Sequence, residues 1–189
     1  MFGLCVFCGS KPGGSPVYAD AARRLGRSIG ERGWRLVYGG GRAGLMGEVA
    51  DAALAAGAQV VGVIPDSLMR LEVGHPGLTE IHVVRTMHQR KTMMAERADA
   101  FVALPGGIGT LEELFEVWSW RHLAYHTRPI GLLEVDAYWQ PMLEFLERTR
   151  REGFVSEAQL DMLQVDYDID RLLDTLTSAA PKPADFGRI

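Results

Sequence analysis

Short apolar runs alternate with longer helical segments along most of the chain, and this alternation restricts the possible folds more than any other feature. A run that is apolar throughout is typical of a strand buried on both faces of a parallel sheet. We therefore predict an α/β fold, a single-domain Rossmann-like parallel sheet with helices on both faces. The predicted strands are FGLCVF, WRLVYGG, QVVGVIP, EIHVVR, AFVALPGG and PIGLLEV, with LQVD as a further short candidate.

The chain of 189 residues shows no repeat and no internal linker. We predict one nucleotide-binding or hydrolase domain over residues 1–180 and a flexible C-terminal tail over 181–189. Ser15 and Pro16 mark the start of the first helix, and Gly33 follows its last turn. The segment between Pro65 and Thr79 is predicted to be the one long loop.

Charge and hydrophobicity indicate what kind of partner to expect. The formal net charge is −4, and no basic stripe suited to nucleic acid or an anionic membrane is present. No apolar run approaches the ~18 residues that a membrane span needs, and MFGLCVFCGS lacks the basic flank and cleavage site of a signal peptide. We expect a cytoplasmic protein whose partner is a small molecule.

Cys5 and Cys8 have CxxC spacing but lie within or directly after an apolar run that reads as a strand. Buried thiols are the favoured interpretation, and redox or metal chemistry is the alternative. His122 and His126 are four residues apart, but without an HExxH glutamate or an obvious third ligand they are expected to make polar contacts. No metal site is predicted.

Three glycine-bearing loops follow predicted strands, where ligands bind in open parallel sheets. They are CGSKPGG, YGGGRAGLMG and LPGGIGT. The last leads into a helix, so its backbone N–H groups suit an anion such as the phosphate of a mononucleotide. Gly39, Gly41 and Gly44, with Asp66 beyond them, also match a dinucleotide fingerprint, but this pattern belongs after the first strand and the chain has no room for a second, substrate-binding half.

Two charged positions near these loops have both a functional and an ordinary interpretation. In MHQRKTMMAERAD, one helical face carries Met87, Arg90, Met94 and Arg97. Burying the methionines would turn at least one arginine side chain toward the interior. The ordinary alternative is that the cationic side chains stay solvated at the surface. Glu113 follows Thr110 with capping-box spacing, so on spacing alone capping is the better interpretation.

PGGIGTLEE with MHQRK upstream resembles the LOG family of cytokinin-activating phosphoribohydrolases, and the likeness runs from CVFCGS to about Phe154. The resemblance implies hydrolysis of the N-glycosidic bond of AMP or N6-substituted AMP, with Arg90 and Glu113 catalytic and with no cofactor or metal. Molybdenum-cofactor carrier proteins are similar in fold and glycine loops, so a non-catalytic binding protein is the alternative. A lysine decarboxylase would need a pyridoxal-phosphate Schiff base and a longer chain.

The same resemblance, together with the glycine loops, suggests which residues contact the substrate. The expected contacts are Ser10, Gly40, Gly41, Glu72, Met87, Arg90, Lys91, Gly106, Gly107, Ile108, Gly109, Thr110, Glu113 and Ser119. In addition, the helix LEELFEVWSWRHLAYH is apolar around much of its circumference, which predicts a homodimer. The alternative is a helix covered entirely by its own chain.

Overall fold

The computed structural model describes residues 1–72 and 74–181, apart from the side chains of residues 70–72. Every predicted strand is present. The strands are β1 Gly3–Phe7, β2 Arg35–Tyr38, β3 Gln59–Pro65, β4 Glu80–Val84, β5 Ala100–Ala103, β6 Ile130–Leu133 and β7 Leu163–Asp166. The helices are α1 Pro16–Glu31, α2 Gly44–Ala55, α3 Asp66–Glu72, α4 Met87–Glu96, α5 Ile108–His122, α6 Gln140–Arg151, α7 Glu157–Leu160 and α8 Ile169–Ala179.

The strands form one parallel sheet in the order β4-β3-β2-β1-β5-β6-β7. The chain starts at the centre, builds outward from β1 to β4, and then returns to place β5 on the other side of β1. The strand order therefore reverses between β1 and β5. At such a point the loops leaving the two strands diverge to opposite faces and open a crevice.

Both faces of the sheet are covered, as predicted for a Rossmann-like fold. In β1 the side chains of Leu4 and Val6 pack with α1, α2 and α8, whereas Cys5 and Phe7 pack with α4, α5 and α6. This division follows from the alternation of side chains along a strand. Helix α1 begins at Pro16 after Ser15, and Gly33 adopts the left-handed conformation (φ 66°) after the last turn, as predicted.

The prediction of one continuous loop from Pro65 to Thr79 is wrong. Helix α3 occupies Asp66–Glu72, with Asp66 in its first turn, where a carboxylate interacts favourably with the helix dipole. The sequence DSLMRLE contains no glycine or proline to prevent the helix, but it is too short for helical periodicity to be recognised. The predicted tail lies outside the described residues from position 182 onward. No helix in the described ranges has the length and hydrophobicity of a membrane span.

Candidate active site

A cavity of about 550 Å³ lies where the loops after β1 and β5 diverge. The strand order alone predicts a ligand crevice at this position. Helices α4 and α5 supply Arg90 and Glu113, the loop after β1 supplies Lys11, and the start of α2 closes one side. The lining residues are Cys8, Gly9, Ser10, Lys11, Pro12, Gly13, Tyr18, Leu45, Met46, Arg90, Pro105, Gly106, Gly107, Ile108, Gly109, Thr110, Glu113 and Tyr138.

The loop after β5 presents the backbone at the start of α5 to this cavity. Gly107 is the N-cap residue and has no side chain to satisfy the first N–H groups of the helix. A Cβ added at Gly107 or Gly109 would meet no atom within 4 Å, so a ligand can approach the backbone there. Free N–H groups and the helix dipole together make this a suitable place for an anion.

Arg90 and Glu113 form a buried ion pair beside the loop. Only 7% of Arg90 and 8% of Glu113 is exposed, and Arg90 Nη1 lies 3.4 Å from Glu113 Oε1. Arg90 Nε also donates to the Val63 carbonyl at 3.1 Å, and Nη2 donates to the Gly39 carbonyl at 3.4 Å. These contacts hold the guanidinium in one orientation. The expectation of an inward-facing arginine on this helix is confirmed for Arg90.

The capping interpretation of Glu113 is wrong. Helix α5 begins at Ile108, so Thr110 lies inside its first turn instead of at the N-cap, and no side chain caps this helix. Glu113 is consequently in the second turn and faces inward toward Arg90. The reason is steric. A Cβ at Gly106 would lie 2.1 Å from Thr110 Oγ1, so only glycine lets the loop pack this closely against the first turn of the helix.

Eight of the fourteen expected substrate contacts line the cavity. They are Ser10, Arg90, Gly106, Gly107, Ile108, Gly109, Thr110 and Glu113. Gly40 and Gly41 do not line the cavity and instead contact the segment before β4. The Gly40 carbonyl accepts from the His75 N–H at 3.1 Å, and Gly41 forms an isolated antiparallel β-bridge with Gly74. The side chain of Glu72 lies outside the described residues.

Three expected contacts on α4 and α5 lie outside the cavity lining. Met87 and Ser119 are exposed. The Lys91 amine bridges the two helices, with Nζ 2.5 Å from Glu112 Oε1 and 2.8 Å from Glu116 Oε1. In a single chain these residues therefore do not share the pocket of Arg90 and Glu113.

Two tyrosines in the cavity wall were missed by the sequence analysis. Tyr18 comes from α1 and Tyr138 from the turn before α6, and their rings meet edge to face at a centroid distance of 5.9 Å. The Tyr138 hydroxyl donates to the Gly106 carbonyl. Neither residue belongs to a recognisable motif, so only the tertiary structure identifies them.

The two cysteines are buried free thiols, as expected. Cys5 and Cys8 belong to the cores on opposite faces of the sheet, which separates them. Burial, and next the charge of Glu113, raises the pKa of both thiols well above the ordinary value. Protonated thiols are poor nucleophiles and poor metal ligands. Within the described ranges, no group of three or more His, Cys, Asp or Glu residues could hold a metal ion.

Comparison with known proteins shows which family this chain belongs to. A family profile described as "possible lysine decarboxylase" matches residues 46–176. A cytokinin riboside 5′-monophosphate phosphoribohydrolase of Rhodococcoides fascians is 49% identical over 93% of this chain and 89% of its own length. One of Arabidopsis thaliana is 45% identical over 97% of this chain and 86% of its own. The chain belongs to the LOG family.

Solved structures related to this LOG-family chain at lower identity share its fold. The molybdenum cofactor binding protein of Rippkaea orientalis is 19% identical, with a TM-score of 0.69 over 94% of both chains. The molybdenum cofactor carrier protein of Chlamydomonas reinhardtii is 20% identical, with a TM-score of 0.68 over 94% of this chain and 97% of that one. At this identity the likeness shows the architecture alone.

The decarboxylase description of the family profile does not fit Lys91, the lysine that follows Arg90 in α4. Burial lowers the pKa of Lys91, but hydrogen bonds to Glu112 and Glu116 outweigh it and raise the pKa above its ordinary value. A lysine that forms a Schiff base reacts as the neutral amine, which this arrangement disfavours. Lys91 also lies outside the cavity lining.

The dinucleotide interpretation of this LOG-family chain is not supported by the loop packing. Gly44 has a left-handed backbone (φ 58°), and a Cβ there would lie 2.4 Å from the Lys11 nitrogen. The Leu45 N–H donates to the Gly9 carbonyl at 2.9 Å. The glycines after β2 therefore allow close packing against the loop after β1, and the cavity opens between β1 and β5 instead.

His126 predicts a pH dependence of folding stability. Its Nε2 lies 2.9 Å from the Val117 carbonyl, and its Nδ1 accepts from the Arg128 N–H at 3.1 Å, an arrangement that fits the neutral ring. Burial is the main reason why its pKa is lowered from 6.5 to about 4. Because the unfolded chain binds the proton more readily, stability is full above pH 6.5 and falls as the pH drops toward 4.

We expect urea unfolding to show that the free energy of unfolding falls between pH 7 and pH 5 by about 1 kcal/mol more in the wild-type protein than in His126→Gln. That value allows for solvent screening at a partly exposed ring. His122→Gln, at an exposed position of the same segment, is the matched control and should behave like the wild type. An equal loss in wild type and His126→Gln would contradict the assignment.

Proposed function

We propose that this protein hydrolyses the N-glycosidic bond of AMP-type nucleotides, including cytokinin riboside 5′-monophosphates, and releases the free base and ribose 5-phosphate. The observation that carries the proposal is the buried Arg90–Glu113 pair, with Glu113 in the second turn of a helix whose N-terminus is open. The relatives that are 49% and 45% identical to this chain are named as phosphoribohydrolases of cytokinin riboside 5′-monophosphates.

The 5′-phosphate binds at the start of α5 in this proposal. The N–H groups of its first turn and the dipole of the helix favour a dianion, and the open positions at Gly107 and Gly109 admit it. Glu113 lies four residues beyond Gly109, or about 6 Å along the helix axis. A ribose ring attached to the phosphate reaches that far, which places its anomeric carbon near the carboxylate.

Positive charge develops at the anomeric carbon as the bond to the base breaks. A carboxylate there stabilises the oxocarbenium-like transition state or orients the attacking water. Arg90 balances the carboxylate charge before reaction, so that Glu113 does not repel the nearby phosphate. The guanidinium also places the nucleotide and offsets negative charge on the leaving base.

Substrate contacts outside the cavity lining belong to the same proposal. Gly40 and Gly41 support the loop that packs beside Arg90. The family pattern makes Glu72, Met87, Lys91 and Ser119 expected substrate contacts, although Met87, Lys91 and Ser119 lie outside the cavity lining of a single chain. Residues 1–180 act as one nucleotide-binding unit. No cofactor or metal takes part in the proposed reaction.

Chromatography of reactions with AMP and with isopentenyl-AMP tests the function. Free adenine or free isopentenyladenine, released in equal amount to ribose 5-phosphate, is the expected result. A protein that binds AMP but releases no base from either nucleotide would overturn the proposal and would favour a carrier function.

We also propose a homodimer formed through the exposed face of α5. Phe115 and Leu123 are 39% and 55% exposed, and Ser119 lies between them on the same helical stripe. Burying apolar side chains of this size is favourable. Multi-angle light scattering at micromolar concentration should give twice the mass of the 20.8 kDa chain. A monomer would exclude this interface.

Gly39→Ala should lower turnover without changing any charged residue. A Cβ at Gly39 would lie 2.0 Å from Arg90 Nη2, so the guanidinium must leave its present position beside Glu113. A misplacement of about 1 Å at a catalytic group can cost ~10²-fold, and we expect at least a tenfold lower rate of base release.

Gly14→Ala is the matched control for this substitution. A Cβ at Gly14 meets no atom within 4 Å, and Gly14 lies in an exposed part of the loop after β1. Its turnover should stay within twofold of wild type, roughly the scale of a neutral surface change. Equal turnover in Gly39→Ala and Gly14→Ala would show that the position of Arg90 is not critical.

A further inference from the structure

The turn between β6 and α6 contains two consecutive non-glycine residues in the left-handed region. The φ angles are 53° at Asp136 and 56° at Ala137, and both residues are exposed. A residue with a Cβ rarely adopts this conformation, and it persists where surrounding contacts determine the backbone. Such strain concentrates at functional sites, so the contacts that hold this turn are informative.

The turn is held by the residues on both sides of it. The Trp139 indole N–H donates to the Leu133 carbonyl at 3.0 Å, and the Trp139 backbone N–H donates to Glu134 Oε1 at 3.1 Å. The Tyr138 backbone N–H donates to the Val135 carbonyl at 3.1 Å. Trp139 is buried. These bonds fix the backbone from which the Tyr138 ring projects.

The Tyr138 ring reaches across to the phosphate loop. Its hydroxyl donates to the Gly106 carbonyl, and its ring meets Tyr18 and Trp139 edge to face at centroid distances of 5.9 and 5.0 Å. Gly106 is also packed closely against the loop after β1, because a Cβ there would lie 2.8 Å from the Gly9 nitrogen. The peptide group after Gly106 therefore accepts the tyrosine hydrogen bond at its carbonyl and begins at a closely packed residue.

That peptide group joins the Gly106 carbonyl to the Gly107 N–H. A trans peptide is planar, so a hydrogen bond that holds the carbonyl also sets the direction of the N–H. Gly107 is the N-cap of α5 and lines the cavity. A donor whose direction is set before the ligand arrives binds it without the cost of ordering.

We propose that Tyr138, held by the strained turn at Asp136 and Ala137, is a positioning residue that orients the anion-binding loop for the 5′-phosphate. This inference rests on the proposed function, because it assumes that the ligand is a nucleotide phosphate. Tyr138 acts through the Gly106 peptide and not on the reacting atoms.

The test compares ligands with and without phosphate by isothermal titration calorimetry. Tyr138→Phe removes only the hydroxyl, and we expect ribose 5-phosphate to bind about five- to tenfold more weakly, the scale of one hydrogen bond. Adenosine should bind within twofold of wild type. Tyr167→Phe removes a hydroxyl from an exposed tyrosine after β7 and should change neither affinity.

A second variant separates the role of the turn from that of the ring. Asp136→Gly combined with Ala137→Gly keeps Tyr138 but lets the turn leave the left-handed conformation, because glycine samples both regions. We expect ribose 5-phosphate binding to weaken about two- to threefold, without loss of the folded state in thermal unfolding. Unchanged affinity would contradict the role of the turn.

The outcomes also distinguish this inference from the proposed function. If Tyr138→Phe weakens the binding of ribose 5-phosphate and of adenosine equally, or weakens the binding of neither ligand, the positioning role is overturned even when the wild-type protein releases base. If wild type releases no base but Tyr138→Phe selectively loses phosphate affinity, the positioning role stands and the hydrolase proposal fails.

Discussion

Glu113→Gln should lower the rate of base release from AMP by about 10²-fold or more, the scale seen when one preorganised transition-state contact is removed. Glutamine keeps the size of the side chain and an oxygen that can accept from Arg90, but it removes the charge that faces the developing cation. AMP should bind about as well as before or slightly more tightly, because that charge does not help bind a phosphate in the ground state.

Two measurements make this prediction specific. Single-turnover release of adenine gives the rate of the chemical step. Calorimetry at short times, before much AMP is hydrolysed, gives the affinity for AMP. Glu112→Gln is the matched control, because Glu112 is the adjacent, half-exposed carboxylate and pairs with Lys91 on the outer side of the helix. Near-normal release of base by Glu113→Gln would refute its catalytic role and direct the search to Glu112 or Glu72.

Arg90→Ala should weaken both substrate binding and turnover, because a guanidinium that positions the nucleotide acts in the ground state and in the transition state. We expect about 10²-fold lower kcat/KM. The variant should also be less stable by about 3–5 kcal/mol, because it leaves the Glu113 carboxylate buried without its cation. Urea unfolding and base-release kinetics measure the two effects separately.

Arg90→Lys and Arg24→Ala complete this experiment. Lysine restores the charge but cannot contact Val63, Gly39 and Glu113 at once, so turnover should stay well below wild type while part of the stability returns. Arg24 is exposed on α1, and its removal should have little effect on either quantity. Full activity in Arg90→Lys would show that charge alone is needed at this position.

Much of the fold could be predicted because parallel strands carry a strong local signal. A strand covered on both faces must be apolar at every position, and runs such as AFVA and IGLL have no other simple explanation. The inward face of α4 was predictable for a similar reason, since burying Met94 turns Arg90 to the same side. The motif around Glu113 then identified the family.

The start of α5 could not be predicted from its polar residues. Thr110 and Glu113 have ideal capping spacing, yet the helix starts at Ile108 because Gly106 packs against Thr110 and the loop after β1. That contact depends on β5 lying beside β1, which local sequence does not specify. Short-range patterns report the preferences of a segment, whereas a neighbouring strand can override them.

The sequence by itself determined the strands, the class of the fold, the loop that suits an anion and the residues of the family motif. Only the tertiary structure showed that Arg90 and Glu113 form a buried pair, that Lys91 and Ser119 lie outside the cavity lining, and that the Tyr138 hydroxyl donates to the Gly106 carbonyl. The physical reason is the sequence distance over which each kind of interaction acts. Burial periodicity and turn chemistry act over a few residues, but a site assembled from β1, α4, α5 and the turn after β6 exists only once the strand order has brought those segments together.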